Sequence, residues 1–245
     1  MSLESQIADL VTATNSLIAT FNTKKTGIET AVAAAIAAVP LMTKTFYVDQ
    51  VAGLDTADGS AAAPLRTIQK AVSNTPVGGV CKVLLTGDYL LDANASVDLR
   101  CLDIGSSVPG TKRKLTLTHG IQSDGAPRLN GFTFANGAGV MFGDLTVMLP
   151  SPAGVTPAPS GFSNSVFKTG SSGSTPMLSV KLSNVDVQSA ADSLATLFIL
   201  LSSAIVFEAV GCTFPSGFAG RYIGGISAGT AVNTHNNILS NLTSL

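Results

Sequence analysis

The sequence predicts a mainly β chain: a body of short stacked strands behind an N-terminal α-helical stalk that assembles as a homotrimer. Three observations predict it. Apolar residues recur at alternating steps of four and three from Leu3 to Ala35. Only 12% of the 245 residues are charged, about half the usual share, and Gly, Ala, Ser and Thr fill the difference. Short apolar alternations, each introduced by a Gly or an Asn, recur through the body.

The stalk comes first. Its columns read Leu3, Ile7, Leu10, Thr14, Leu17, Phe21, Lys24, Ile28, Ala31 and Ala35, and eight of these ten are apolar. That is a coiled-coil heptad. Val11, Ile18, Val32 and Val39 add a third, partly apolar column. A stripe three columns wide favours a trimer or larger bundle over a dimer. The expected seam is Leu3, Ile7, Leu10, Leu17, Phe21 and Ile28. Lys24, Lys25 and Gly27 weaken the middle, so two shorter helices broken near Thr26–Gly27 are an alternative to one long helix. Pro40 ends the element. An amphipathic helix packed on its own chain is the blander reading. The terminal position, the lack of an obvious partner helix and the change of composition beyond it favour the stalk.

The next stretch, FYVDQVAGLDTADGSAAAPLRTIQKAV, runs from Phe46 to Val72. Phe46–Asp49 reads as a strand, Gly53 to Ser60 as a turn-rich loop, and Thr67–Val72 as the start of a helix. Pro76 and Gly78–Gly79 stop that helix. Cys81–Thr86 is a strand, and Gly87–Asp88–Tyr89 turns the chain. These pieces, Tyr47–Val48–Asp49, the Gly/Asp loop, Pro64-Leu-Arg-Thr-Ile-Gln-Lys-Ala71 and Gly87–Asp88–Tyr89, resemble the N-terminal region of the pectate-lyase-like superfamily. The match covers Phe46 to Leu91. It implies a short right-handed parallel β-helix, with a small amphipathic helix covering its first coil through Leu65, Ile68 and Val72. The superfamily includes lyases, hydrolases and non-enzymatic phage fibres and spikes, so the resemblance speaks to fold more than to chemistry. The expected organisation is 1–42 stalk, 43–95 opening and cap of the β-helix, and 96–245 its body.

The body repeats loosely. Leu129-Asn-Gly-Phe-Thr-Phe134, Phe142-Gly-Asp-Leu-Thr-Val147, Leu182-Ser-Asn-Val-Asp-Val187 and Ala209-Val-Gly-Cys-Thr-Phe214 share one form. Phe132, Leu145, Val185 and Cys212 hold equivalent places, spaced 13, 40 and 27 residues apart. Thirteen residues are too few for a three-sided coil, which needs roughly 20, so some copies belong to different sides of one coil. A β-sandwich of short strands gives the same alternation and stays open. Leu115–Thr118 and Val97–Leu99 read as single strands. The runs 150–160 (PSPAGVTPAPS) and 169–176 (TGSSGSTP) are expected to project as loops. Leu194–Val210 is interrupted by Ser202, Ser203 and Glu208, and reads as two buried strands rather than a membrane helix. The final run, Asn236–Leu245, has Ile238, Leu239, Leu242 and Leu245 spaced like a short helix.

Chemistry is sparse. A net charge of −1 provides no basic field for nucleic acid. Two His and no Trp leave little for a metal centre, and no cofactor motif is visible. Cys81, Cys101 and Cys212 read as three buried thiols of a protein made in a reducing compartment. The first residues, Met1–Ser5, lack the basic start and apolar run of a signal peptide. Glycoside cleavage needs two placed carboxylates. The body offers Asp98, Asp103, Asp124, Asp144, Asp186, Asp192 and Glu208, of which Asp144, Asp186 and Glu208 are the catalytic candidates; a solvated face is the blander reading of all three. His119 and His235 stand alone.

A helical trimer stalk followed by a capped β-helix resembles phage tail fibres and tailspikes. The resemblance implies a homotrimeric receptor-binding protein of the virion tail, assembled in the host cytoplasm. Its expected partners are other tail or baseplate proteins through the stalk, and a bacterial surface glycan or pilus. No nucleic acid and no membrane insertion are expected. A β-helical polysaccharide depolymerase is the alternative, and a purely structural virion fibre or connector the third reading.

Overall fold

The computed structural model describes residues 2–38, 42–122, 124–136, 139–169, 177–199 and 204–245. Val39, Pro40, residues 170–176 of the expected loop, Ser202 and Ser203 lie outside them. The chain divides into two units, Met1–Met42 and Thr43–Leu245.

The first unit is one helix, α1 (Leu3–Ala38), 36 residues long. It runs through Gly27 without interruption, so the alternative of two shorter helices is not what forms. One interior Gly costs about 1 kcal/mol, and opening a turn forfeits several backbone hydrogen bonds. Thr12, Thr14, Thr20, Thr23, Thr26 and Thr30 each return their hydroxyl to the carbonyl four residues back, at 2.8–3.0 Å. These polar side chains therefore ask nothing of a partner.

The second unit is mainly β with parallel sheets. Its elements are β1 (Thr43–Val48), α2 (Ile68–Asn74), β2 (Val80–Leu85), β3 (Tyr89–Leu91), β4 (Ala95–Asp98), β5 (Cys101–Ser106), β6 (Arg113–Leu117), β7 (His119–Ile121), β8 (Pro127–Leu129), β9 (Phe132–Ala135), β10 (Gly139–Leu149), β11 (Ser165–Thr169), β12 (Met177–Ser189), β13 (Thr196–Ile199), β14 (Ala204–Val210), β15 (Ile223–Gly224) and β16 (Ile238–Ser240).

Among the described residues nine strands form a larger sheet, with the path β1-β2-β5-β10-β12-β14-β16, β6 beside β10 and β3 beside β6. Five form a smaller one, β4-β9-β11-β13-β15. Every pairing within these two sheets is parallel, and spatial order follows chain order. From β2 to β15 each pass of the chain thus adds to both sheets, with β2–β3 and β5–β6 giving the larger one two strands.

Period-two alternation decides what faces inward. From the larger sheet Phe46, Val83, Ile104, Phe142 and Leu182 stand in one register row, and all are buried. From the smaller sheet Ala95, Phe132, Phe167, Phe198 and Ile223 form the facing row. The rings of Phe132, Phe167 and Phe198 follow one another at 6.1 and 5.3 Å, with Phe142 and Phe207 wedged in from the larger sheet at 5.0–5.4 Å. Each buried ring stabilises by about 1.5–3 kcal/mol, and each tilted or edge contact adds roughly 0.5–1.5. This aromatic column is the centre of the core.

The register sorts out the repeats. Leu145 pairs with Val185, and the bridge Asp186–Thr213 puts Cys212 in the next place of that row. Phe132 is not in this row; it lies in the smaller sheet beside Phe167. The thirteen residues from Phe132 to Leu145 lead from one face to another within one pass. The turns between the two halves of each long strand repeat as well. Asp144, Asn184 and Gly211 all adopt left-handed φ (52°, 55° and 63°), a conformation open to Asp, Asn and Gly at little cost.

Two further expectations change, and a third holds. Only Cys81 is a buried thiol: Cys101 is exposed and Cys212 half-buried, because Cys101 falls on the outward phase of β5. The C-terminal run forms β16 and a return rather than a helix. Ile238 and Leu245 are buried, while Leu239 is exposed. The backbone of Leu245 exchanges hydrogen bonds with Thr230 (2.9 Å) and Gly229 (2.6 Å), and ladder pairing outcompetes the weak propensity of so short a helix. Residues 194–210 contain β13 and β14, as two strands, and no helix of the described residues is long and apolar enough to cross a membrane.

Candidate functional site

Three regions carry the candidate residues. The first is α1, which is exposed on every side. Leu3, Ile7, Leu10, Leu17, Phe21 and Ile28 are 53–72% exposed, and Val11, Ile18, Val32 and Ile36 are exposed with them. This is an apolar stripe along a long helix, interrupted at Thr14 and by Lys24 and Lys25. Lys25 pairs with Glu29 at 3.7 Å beside Phe21 and Ile28.

The second region opens the stack. Leu65, Ile68 and Val72 are buried. Helix α2 packs against β1, β2 and β4, at the end where β1 and β4 are the outermost strands. Each piece of the Phe46–Tyr89 motif has a visible task. Thr67 caps α2, its hydroxyl accepting from Lys70 N at 3.1 Å. Asp55 accepts from the backbone of Arg66 and Thr67 and from the Thr67 hydroxyl, at 2.8–3.0 Å. The Tyr89 hydroxyl accepts from Ile68 N at 3.3 Å, and burial pushes its pKa up. Asp49 accepts from Ala52, Val51 and Thr86, which hold its carboxyl below the usual range, the Ala52 N–H foremost. Gly53 lies so close to Leu65 and Asp49 that a Cβ would sit 2.3–2.4 Å from their carbonyl oxygens. The loop that closes the exposed edge of β1, bonding Tyr47 N to Gly59 O and Leu65 N to Tyr47 O, therefore needs glycine there.

The third region is the outer face of the larger sheet, with its corner. Asp144 accepts from the Asn184 side-chain amide at 2.5 Å and from Gly110 N at 3.4 Å. Asp186 binds Lys112 at 2.8 Å and the Thr213 hydroxyl at 2.7 Å. Lys112 first, then Thr213, hold its carboxyl below the usual range. Glu208 pairs with Lys181 at 3.0 Å. The three candidate carboxylates share no partner. Asp144 is held by an amide, Asp186 by an ammonium and a hydroxyl, and Glu208 by an ammonium, so no two of them face one another as the paired carboxylates of a glycosidase do. His119 is partly buried, which pushes its pKa down.

Two residues that sequence reasoning did not single out stand apart. Asp103, on β5, is partly buried and makes no hydrogen bond or ion pair among the described residues; burial pushes its carboxyl up, with Lys82 opposing. It lines two adjoining grooves of about 340 and 350 Å³ on this face, one with Lys82, Gly105 and Asp144, the other with Cys101, Gly139 and Lys181; Met141 lines both. The alternation of CLDIGS, which turns Asp103 outward, was the available signal. The other is Lys168, fully buried on β11. Its ammonium donates to Asn94 Oδ1 at 3.1 Å and to the Leu129 carbonyl, and burial, with the charge of Arg128, lowers its pKa to about 8. Nothing in SVFKT distinguishes it from a surface lysine, because the groups that bury it come from other passes of the chain. Among the described residues no cluster of His, Cys, Asp or Glu could hold a metal.

No protein-family model matches the chain, and no curated protein matches it. Among solved structures it is similar to one described as "Rhamnogalacturonan lyase", at 15% identity and a TM-score of 0.39, over 71% of this chain and 44% of that one. The chain spans less than half of the length of that structure.

Proposed function

We propose that the chain is the subunit of a homotrimeric fibre of a phage tail or tail-like particle, in which α1 gathers three copies and a right-handed parallel β-helix is presented to a bacterial surface glycan or pilus. The observation that carries this reading is the seam. Six large apolar side chains are exposed at heptad places along 36 residues of helix. Burying them between copies is worth on the order of 10 kcal/mol per chain. Three weak surface contacts then act together through effective concentration. Other tail proteins would hold the stalk.

Light scattering on the full-length protein tests the assembly. A trimeric mass is expected, and a Leu10→Lys/Leu17→Lys variant should fall to one third of it. A monomeric wild type would sink the reading. Purified protein should also block adsorption of the particle to its host. A trimer that leaves adsorption untouched would favour the structural-connector reading.

A depolymerase is the second reading, and Asp103 is what favours it: a carboxyl that burial pushes toward its protonated form, beside Asp144 in a groove. Release of reducing or unsaturated ends from host polysaccharide, abolished by Asp103→Asn, would establish it.

A further inference from the structure

We infer that the outer face of the larger sheet is a second contact between copies of this chain, resting on the trimeric reading above. The argument begins with register. Lys82, Asp103, Met141, Lys181 and Glu208 stand side by side on β2, β5, β10, β12 and β14. All five point outward, since the rows on either side of them are core. Their signs run plus, minus, neutral, plus, minus.

Copies gathered about a three-fold axis present the same residue at the same level. A level of three lysines alone could not be buried. Here the Lys82 level lies one strand, about 4.8 Å, from the Asp103 level, and the Lys181 level lies one strand from Glu208. Each positive level is answered by the adjacent negative one, and Met141 (38% exposed) supplies an apolar level between them. The flanking rows are low over the three central strands, with Gly105, Gly143 and Ser183 on one side and Cys101, Gly139 and Ser179 on the other, and apolar at their ends, at Val80, Leu84, Val206 and Val210. Asp103 is half-buried and makes no hydrogen bond or ion pair among the described residues, so its carboxylate, which still reaches solvent, is open to a neighbouring copy's Lys82.

Size decides how this contact works. Five strands about six residues long cover on the order of 450 Å², roughly half of what a free-standing interface buries per partner. The face does not assemble copies alone. It closes once the helix has raised their effective concentration.

Cys101 reports on the closure, because it is exposed in the single chain and lines the groove beside Met141. Full-length protein is alkylated with N-ethylmaleimide, modification at Cys101 and Cys212 is followed by peptide mass, and the oligomer is sized in the same sample. In the wild-type trimer Cys101 should react at least tenfold more slowly than in the monomeric Leu10→Lys/Leu17→Lys variant, with Cys212 unchanged. Met141→Lys, which sets three charges in the apolar level, should restore fast Cys101 labelling while the helix keeps the mass trimeric. A trimer whose Cys101 reacts at the monomer's rate overturns the inference and leaves the fibre reading standing. A monomeric wild type overturns both. An open Cys101 that host oligosaccharide protects overturns the inference and gives the face to the depolymerase reading.

Discussion

The helix and the stack contain the same apolar side chains and treat them in opposite ways. In the stack, Phe132, Phe134, Val83 and Ile104 are sealed in, because residues two apart share a face and the facing sheet covers that face. In α1, Leu10, Leu17 and Phe21 are 67–69% exposed, because residues three and four apart share a stripe that the described helix does not itself cover. One region completes its core within a single chain; the other leaves its apolar stripe exposed in that chain. The polar residues follow suit. The threonines of α1 satisfy themselves on their own backbone, while Asp144 and Asp186 in the stack find partners across passes.

The largest break in that comparison comes from putting charge in the seam. Leu10→Lys/Leu17→Lys should abolish self-association, a threefold fall in mass, while the thermal transition of the stack keeps its enthalpy. A stack that unfolds with the helix would show that the two regions are not independent cores. Next is the aromatic column. Phe167→Ala removes the ring between Phe132 and Phe198 and should cost about 3–5 kcal/mol, read as a lower midpoint in denaturant with an unchanged mass.

Lys168 sharpens the comparison through pH. Its folded pKa of about 8 lies below the usual 10.5, so the folded state disfavours the charged form. Below pH 8 both states are protonated and the full penalty, on the order of 3 kcal/mol, is present. As pH rises from 8 to 10.5 the unfolded chain binds more protons, and the penalty is relieved. Cys81 and Tyr89, whose pKa values burial raises, act the other way, losing stability as pH rises. They are common to wild type and variant. Stability of wild type minus Lys168→Met should therefore be flat below pH 8 and climb between 8 and 10.5; a flat difference throughout would mean the ammonium is solvated. The smallest effect is at the cap of α2: Thr67→Ala should cost about 1 kcal/mol in equilibrium unfolding, with no change in oligomer mass.

Several elements were legible in the sequence for stated reasons. The heptad columns of Leu3–Ala35 announce one long helix, and Asp49, Gly53, Thr67 and Tyr89 announce the compact opening of the stack, because capping, turn and close-approach chemistry is local. The strands of the body were legible as strands, but Phe132 and Leu145 looked equivalent though they lie on different faces. Of the candidate carboxylates, the sequence located Asp144 and Asp186 in related places around the aligned Leu145 and Val185; it did not reveal that each is committed to a different partner.

What this sequence determines by itself is periodicity: a 3.5-residue stripe at the start, two-residue alternation after it, and Asp, Asn or Gly at left-handed corners. These follow from steric and hydrogen-bonding rules that act over a few residues. Only the tertiary structure decided that Cys101 is exposed, that Lys168 is buried against Asn94 and Leu129, and that Lys82, Asp103, Met141, Lys181 and Glu208 form one row. Parallel pairing joins residues some twenty to forty positions apart, and its register is set by how long each intervening loop is, which no local pattern records.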